Sequence, residues 1–206
     1  QKIGSRLFIF TAPQPLRYLS CLISRFVRVD TRTVALKDVL SRPGDGGPGS
    51  PAGPVRVGTF YDALNLTVET NPRQQVRGRR MADTAERIVR FYSGIVGDSP
   101  YPSLAVGLVE KDLPGGHSPA YLSVLYQPMP QGNFSWANDP AAFPNYPEFF
   151  VAHEIAHQWW GQAVAWRSYH EQWISEGFAQ YFAALFAQHS RGEQAFQDVL
   201  VRMTRF

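Results

Sequence analysis

Four side chains in this sequence have the types and spacing to do chemistry together: His153, Glu154, His157 and Glu176. The first three read His-Glu-x-x-His within the run FFVAHEIAHQWWG, residues 149–161. On a helix, residues four apart lie on one face a single turn apart, so the two imidazoles can converge on one cation. Glu154 then projects to the side of that pair, where it can reach a water on the cation rather than the cation itself. The plainer reading is a pair of surface histidines beside an ordinary glutamate. Against it stand Val151, Ala152, Ile155, Ala156, Trp159 and Trp160, which make the helix apolar nearly all round. A buried helix does not hold two imidazoles and a carboxylate at its centre unless they are paired or metal-bound.

A catalytic zinc usually takes three protein ligands and keeps one open position. Glu171 and Glu176 are the candidates for the third, both on the next expected helix, residues 171–188. Glu171 lies at the helix start, where it favours the helix dipole. Glu176 is embedded among apolar and aromatic residues in WISEGFAQY and is the stronger candidate. Two histidines and one glutamate form a donor set suited to zinc.

Taken together, His153-Glu-Ile-Ala-His157-Gln-Trp-Trp-Gly161 and Ser175-Glu176-Gly177-Phe178-Ala179 resemble the zinc site of the aminopeptidase N family of gluzincin metallopeptidases, with eighteen residues between His157 and Glu176. The strong resemblance covers residues 149–182, and a weaker one reaches Arg17-Tyr18-Leu19 and Arg25-Phe26-Val27-Arg28-Val29, which are similar to the closing strands of that family's N-terminal β-domain. The resemblance implies that His153, His157 and Glu176 hold Zn2+ and that Glu154 is the general base in peptide-bond hydrolysis by a zinc-activated water. It also implies a thermolysin-like catalytic domain, a mixed-sheet lobe followed by a helical zinc-site lobe. On that basis residues 1–54 are the end of an N-terminal β-domain plus its linker, and residues 55–206 are the first part of the catalytic domain. A different outcome of the same resemblance is a non-catalytic or relaxed-specificity member that binds peptides or partners through the same cleft.

The sequence departs from the family pattern in two places. The substrate-binding strand of the family carries Gly-x-Met-Glu-Asn, whose glutamate grips a free α-amine. The corresponding run here is Gly115-Gly116-His117-Ser118-Pro119, without an acidic residue. Gly115, Gly116 and His117 are therefore the candidate substrate-binding residues, with His117 either lining the site or simply occupying a turn. The demand for a free N-terminus loses its basis. The family also places an oxyanion-stabilising tyrosine well downstream of the third ligand. Only 30 residues follow Glu176, and their one tyrosine, Tyr181, is too close to serve. The chain starts with Gln1 and ends inside an expected helix. It is expected to be a piece of a longer protein that binds zinc but turns over peptides poorly by itself. Gln180, one turn after Glu176, either orients a ligand or faces outward, and His170 and His189 read as exposed histidines.

The elements that must position these residues follow from pattern. Residues 18–29 and 33–40 are rich in β-branched and aromatic residues and read as strands. Residues 42–54, RPGDGGPGSPAGP, hold 9 Gly or Pro in 13 and form a flexible connection, either a linker or a long hairpin loop. Strand-like runs follow at 55–61 and 64–69. Asn71-Pro72 opens a helix running to about residue 95, with Met81, Ala85, Ile88, Val89 and Tyr92 on its apolar stripe. Its other face carries Arg73, Arg77, Arg79, Arg80, Arg87 and Arg90, read as a solvated face partly offset by Asp83 and Glu86. Two more strands are expected at 104–110 and 121–127, joined through Leu113-Pro114-Gly115-Gly116, then a Pro- and Asn-rich loop at 128–147. Helical spacing follows from Tyr146, with breaks near 161–170 and at Gly192. Strands, helix, strands, then helices argue for an α+β domain.

Composition excludes several classes. With 44% hydrophobic residues over 206, the chain can bury a sizeable core and is not intrinsically disordered over most of its length. The net charge of +3 is too small to argue for a nucleic-acid partner, and the pI of 9.1 reflects the excess of arginine. The single cysteine, Cys21, excludes an internal disulfide and a cysteine-based zinc knuckle. No stretch reaches the roughly 18 apolar residues of a membrane helix. Compartment and oligomeric state leave no mark in the sequence.

Overall fold

The computed structural model describes residues 9–18, 20–36, 61–110, 115–126, 140–143 and 146–204. Five strands form one mixed sheet: β1 (Val27–Ala35), β2 (Ala63–Thr70), β3 (Ser103–Val109), β4 (Gly116–His117) and β5 (Leu122–Tyr126). Their spatial order is β1-β2-β3-β5-β4. β2, β3 and β5 run parallel, while β1 and β4 pair antiparallel at the two edges. The helices are α1 (Gln75–Val96), α2 (Glu148–Ala156), α3 (Gln172–Arg191) and α4 (Glu193–Met203), with short 3-10 turns at Pro72–Gln74 and Tyr169–Glu171. The order and mixture of elements are those of an α+β domain.

Each parallel pair needs a connection that returns the chain to the same end of the sheet, and α1 provides it between β2 and β3. Alternation along β2 buries Leu64, Leu66, Val68 and Thr70 on one face. Leu104, Val106 and Leu108 continue that face on β3. The stripe Met81, Ala85, Ile88, Val89 and Tyr92 of α1 is buried as its spacing required. Gly97, in the left-handed conformation at φ 96°, ends α1 and donates its N–H to the Ser93 carbonyl. The arginines at 73, 79, 80 and 87 are exposed, and Arg90 pairs with Glu86.

The core continues from the sheet through α1 into α2, where every residue from Phe149 to Ala156 is buried. The Tyr92 hydroxyl, fully buried on α1, donates to the Ala152 carbonyl at 2.9 Å. It ties the sheet layer to the helix with the paired histidines. α3 packs on α2 and buries Ala179, Phe182, Ala183 and Phe186, and α4 closes on α3.

The N-terminal part differs from expectation. Of the strands expected at 18–29 and 33–40, residues 27–35 form one strand, β1, that crosses the gap between them, and residues 19 and 37–40 lie outside the described residues. Asp30 and Arg32 look like breaks in the pattern, but β1 is an edge strand whose charged side chains pair along it. Arg28 meets Glu69 at 2.8 Å, and Arg32 reaches Asp30, Asp83 and Glu86 at 2.7–3.0 Å. Residues 18 and 20–26 precede the strand without a ladder partner among the described residues. Leu22 instead packs on β3, close enough that a Cβ at Gly107 would lie 3.0 Å from it. The Gly/Pro-rich run 42–54, the expected strand at 55–61 apart from Tyr61, and most of the expected loop at 128–147 lie outside the described residues.

Candidate metal centre

The helical spacing does what it promised. His153 and His157 project from one face of α2 and its C-terminal turn, with their Nε2 atoms 3.2 Å apart. The Oε2 atom of Glu176 on α3 lies 3.4 Å from His153 Nε2 and 3.5 Å from His157 Nε2. Among the described residues, this is the set of three His, Cys, Asp or Glu side chains placed to hold a metal ion. Ligand atoms about 2.05 Å from a tetrahedral zinc lie ~3.3 Å from one another, so the triangle has the size that such an ion needs.

Protonation fits as well. His157 Nδ1 lies 3.0 Å from the Trp160 carbonyl. A carbonyl only accepts, so Nδ1 carries the proton and Nε2 presents a lone pair in the neutral ring. Burial opposes charging His157, yet its pKa lies above the usual histidine value because the Glu176 carboxylate, with Glu154 and the Trp160 carbonyl behind it, favours the cation. Burial would raise Glu176, but hydrogen bonds from His153 and His157 hold its carboxyl far below the usual range. Three converging donors need a positive charge between or upon them, whether proton or metal ion.

The turn after α2 is built to hold this arrangement. Gly161, at φ 116°, takes a conformation that L side chains rarely adopt. Its N–H bonds to the Val164 carbonyl, while the N–H groups of Gln162, Ala163 and Val164 bond back to His157, Gln158 and Trp159. Trp160 stacks on Phe178 with ring centroids 4.7 Å apart and meets Phe182 at 5.0 Å, which fixes α3 against α2 two residues beyond Glu176.

Glu154 is buried, 6% exposed, and its Oε2 accepts a hydrogen bond from the Ser118 hydroxyl at 2.6 Å. A Cβ at Gly116 would lie 2.6 Å from Glu154 Oε1, so only glycine leaves room for the carboxylate. Gly115, Gly116 and His117 thus share one open cleft, of about 670 Å³, with His153, Glu154, His157 and Glu176. Tyr18 lines the same cleft, stacked on His117 at 6.1 Å. Its hydroxyl accepts from Gln162, and Arg17 donates to the Gly161 carbonyl while lying over the Trp166 ring.

The surroundings of Glu176 differ from expectation. Glu176 is on the rim rather than embedded: its side chain is 52% exposed, and Trp173, Ile174, Phe178 and Tyr181 around it are exposed too. Gln180 donates to the Pro140 carbonyl and lines the same cleft as the ligands. Glu171 accepts from the Arg167 N–H and stands apart from the histidines. Gln158, without an assigned role in the sequence, ties the segment of the histidines to the chain before β5. It is 3% exposed, its Oε1 accepts from the Tyr121 N–H, and its Nε2 donates to the carbonyls of Pro119 and Leu122. Its place directly after the second histidine was the only available signal. His170 and His189 are exposed as expected, His189 stacking on Phe91.

Residues 146–205, which carry both histidines, Glu154 and Glu176, match the peptidase family M1 domain. The chain is 28% identical over 129 residues to aminopeptidase M1-C of Oryza sativa subsp. japonica, covering 62% of this chain and 14% of that protein. It is 37% identical over 51 residues to aminopeptidase N of Homo sapiens, covering 25% of this chain and 5% of that protein. To endoplasmic reticulum aminopeptidase 2 of Bos taurus it is 24% identical over 146 residues, 68% of this chain and 15% of that protein. The chain therefore spans a small part of the length of these M1 relatives. No helix among the described residues is long and apolar enough to cross a membrane.

Proposed function

We propose that this chain carries the metal centre of a zinc-dependent, aminopeptidase-like metallopeptidase with a thermolysin-like catalytic domain. The observation that carries the reading is the triangle of His153 Nε2, His157 Nε2 and Glu176 Oε2, with edges of 3.2–3.5 Å, beside the buried carboxylate of Glu154 in one cleft. Residues 55–206 are assigned to the first part of the catalytic domain. Residues 1–54 are assigned to the end of a preceding β-domain and its connection, with β1 joining the catalytic sheet.

His153, His157 and Glu176 hold the ion in this reading. Zinc bound there supplies Lewis acidity toward a peptide carbonyl and raises the acidity of water. Glu154 takes a proton from the attacking water and returns it to the departing amine nitrogen. Its burial in the cleft keeps bulk water from competing for that proton. Gly115, Gly116 and His117 border the peptide, at the end of the sheet formed by β4. Gly115–Pro119 holds no carboxylate to bind a free α-amine, so the demand for a free N-terminus has no basis in that run.

The test compares the intact protein with its Glu154→Gln variant. Bound zinc is measured in each, together with hydrolysis of matched peptides with free and blocked N-termini. Zinc in both, with activity lowered about a hundredfold or more in the variant, supports the reading. Absence of zinc from both, or equal activity in both, overturns it. Zinc without hydrolysis in either would leave a peptide-binding protein built on the same cleft.

A further inference from the structure

Glu154 has a neighbour that neither the helical spacing nor the family match points to. The Ser118 hydroxyl lies 2.6 Å from Glu154 Oε2 and 3.3 Å from the Ser123 hydroxyl. Ser118 is 6% exposed and Ser123 is fully buried on β5. Ser118 has one proton to give. The shorter contact, to a carboxylate, takes it, which leaves an oxygen lone pair to accept from Ser123. We propose that Ser118 is the positioning residue of the general base: its hydroxyl holds Glu154 Oε2 so that the other carboxylate oxygen is the one presented to the attacking water. This rests on the metallopeptidase reading above.

The surroundings give Ser118 the rigidity that such a role requires. Immediately after it, the Pro119 carbonyl accepts from Gln158, one helical turn beyond Glu154 on the same segment. The result is a closed frame from Glu154 through Ser118 and Pro119 to Gln158 and back. Gly116 forms its second wall, where the missing side chain lets the backbone come against the carboxylate. A free carboxylate turns readily about its last torsion, a broad and roughly two-fold rotor. One oxygen held by a hydroxyl, with backbone on the flank, removes that freedom before substrate arrives. Preorganisation of this kind acts on the rate of the chemical step rather than on substrate binding.

The experiment uses Ser118→Ala, Ser118→Thr and Glu154→Ala in the intact protein. Ser118→Ala is expected to lower kcat about tenfold or more, with KM and bound zinc unchanged. Ser118→Thr, which keeps the hydroxyl, is expected to recover most of that loss. A second readout does not depend on activity. In protein stripped of metal by a chelator, unfolding midpoints are measured for Ser118→Ala, Glu154→Ala and the double variant, and the two losses should be non-additive. A kcat for Ser118→Ala within about twofold of the parent, failure of threonine to restore it, or additive unfolding losses would each overturn the proposal. Failure of the metallopeptidase reading is told apart by Glu154→Gln, which would then remain active or hold no zinc, while the metal-free cycle still decides whether Ser118 and Glu154 are coupled.

Discussion

α2 and the first half of α3 face each other across the cleft and are similarly rich in apolar residues, yet their environments are opposite. α2 is buried from Phe149 to Ala156, whereas Trp173, Ile174, Phe178 and Tyr181 on α3 are exposed and Glu176 is half in solvent. The contrast separates two tasks. The histidine pair and Glu154 are held by the same close packing that stabilises the domain, and the third donor is brought in from the rim through the stacking of Trp160 on Phe178. Two donors thus sit inside the core, and the third sits on a helix that is buried only on its inner face, through residues such as Ser175, Ala179 and Phe182.

Four measurements can break or sharpen that contrast. The largest effect is expected from paired truncations: Phe149→Ala should lower unfolding free energy by about 3–5 kcal/mol, and Trp173→Ala by no more than about 0.5 kcal/mol. Similar losses in chemical denaturation would mean that the surface of α3 is covered in the intact protein. Next is metal removal. Zinc at a hundredfold excess over Kd should add about 2.7 kcal/mol, lost on chelation, and Glu176→Ala should abolish the increment. An unchanged increment would show that the rim donor is dispensable.

Gln158→Ala should cost about 2 kcal/mol, because it removes the hydrogen bonds that the buried Gln158 amide makes to the backbone of Tyr121, Pro119 and Leu122. Loosened amide exchange should centre on residues 118–122, while exchange in α3 stays unchanged. The smallest effect concerns acid. Hydrogen bonding from Arg32 outweighs burial and, with Arg90, holds Glu86 below its usual pKa, and Arg32 holds Asp30 down likewise. Carboxyls depressed in the folded state stabilise it above their unfolded pKa, about 4, and that contribution fades as pH falls through the folded values. Arg32→Ala should flatten the acid limb of the stability curve by less than about 1 kcal/mol, leaving the metal centre unaltered.

How much of this could be read from the chain depends on how local each interaction is. The spacing of His153 and His157, the alternation in β2 and β3 and the stripe of α1 are short-range patterns, and they appear as read. The meeting of Ser118 with Glu154 joins residues 36 apart, and no periodicity encodes it. The exposure of α3 illustrates a different limit. WISEGFAQYFAALFA is mostly apolar with Ser175, Glu176 and Gln180 as its polar members, and composition cannot say which turns a neighbouring element will cover. The continuity of β1 through Asp30 and Arg32 rests on partners on β1 and α1 that no local pattern reveals.

The bond from His157 Nδ1 to the Trp160 carbonyl has a hereditary consequence. Its acceptor is backbone, so no exchange of the side chain at 160 deletes it. The conformation that turns this carbonyl toward the imidazole depends instead on the next residue, Gly161, with its φ of 116°. His153 Nδ1 is buried without a hydrogen-bond partner among the described residues, so the two imidazoles are inherited unequally. The proton position on one is guarded by a codon for a residue with no side chain, and that on the other depends on what its Nε2 binds.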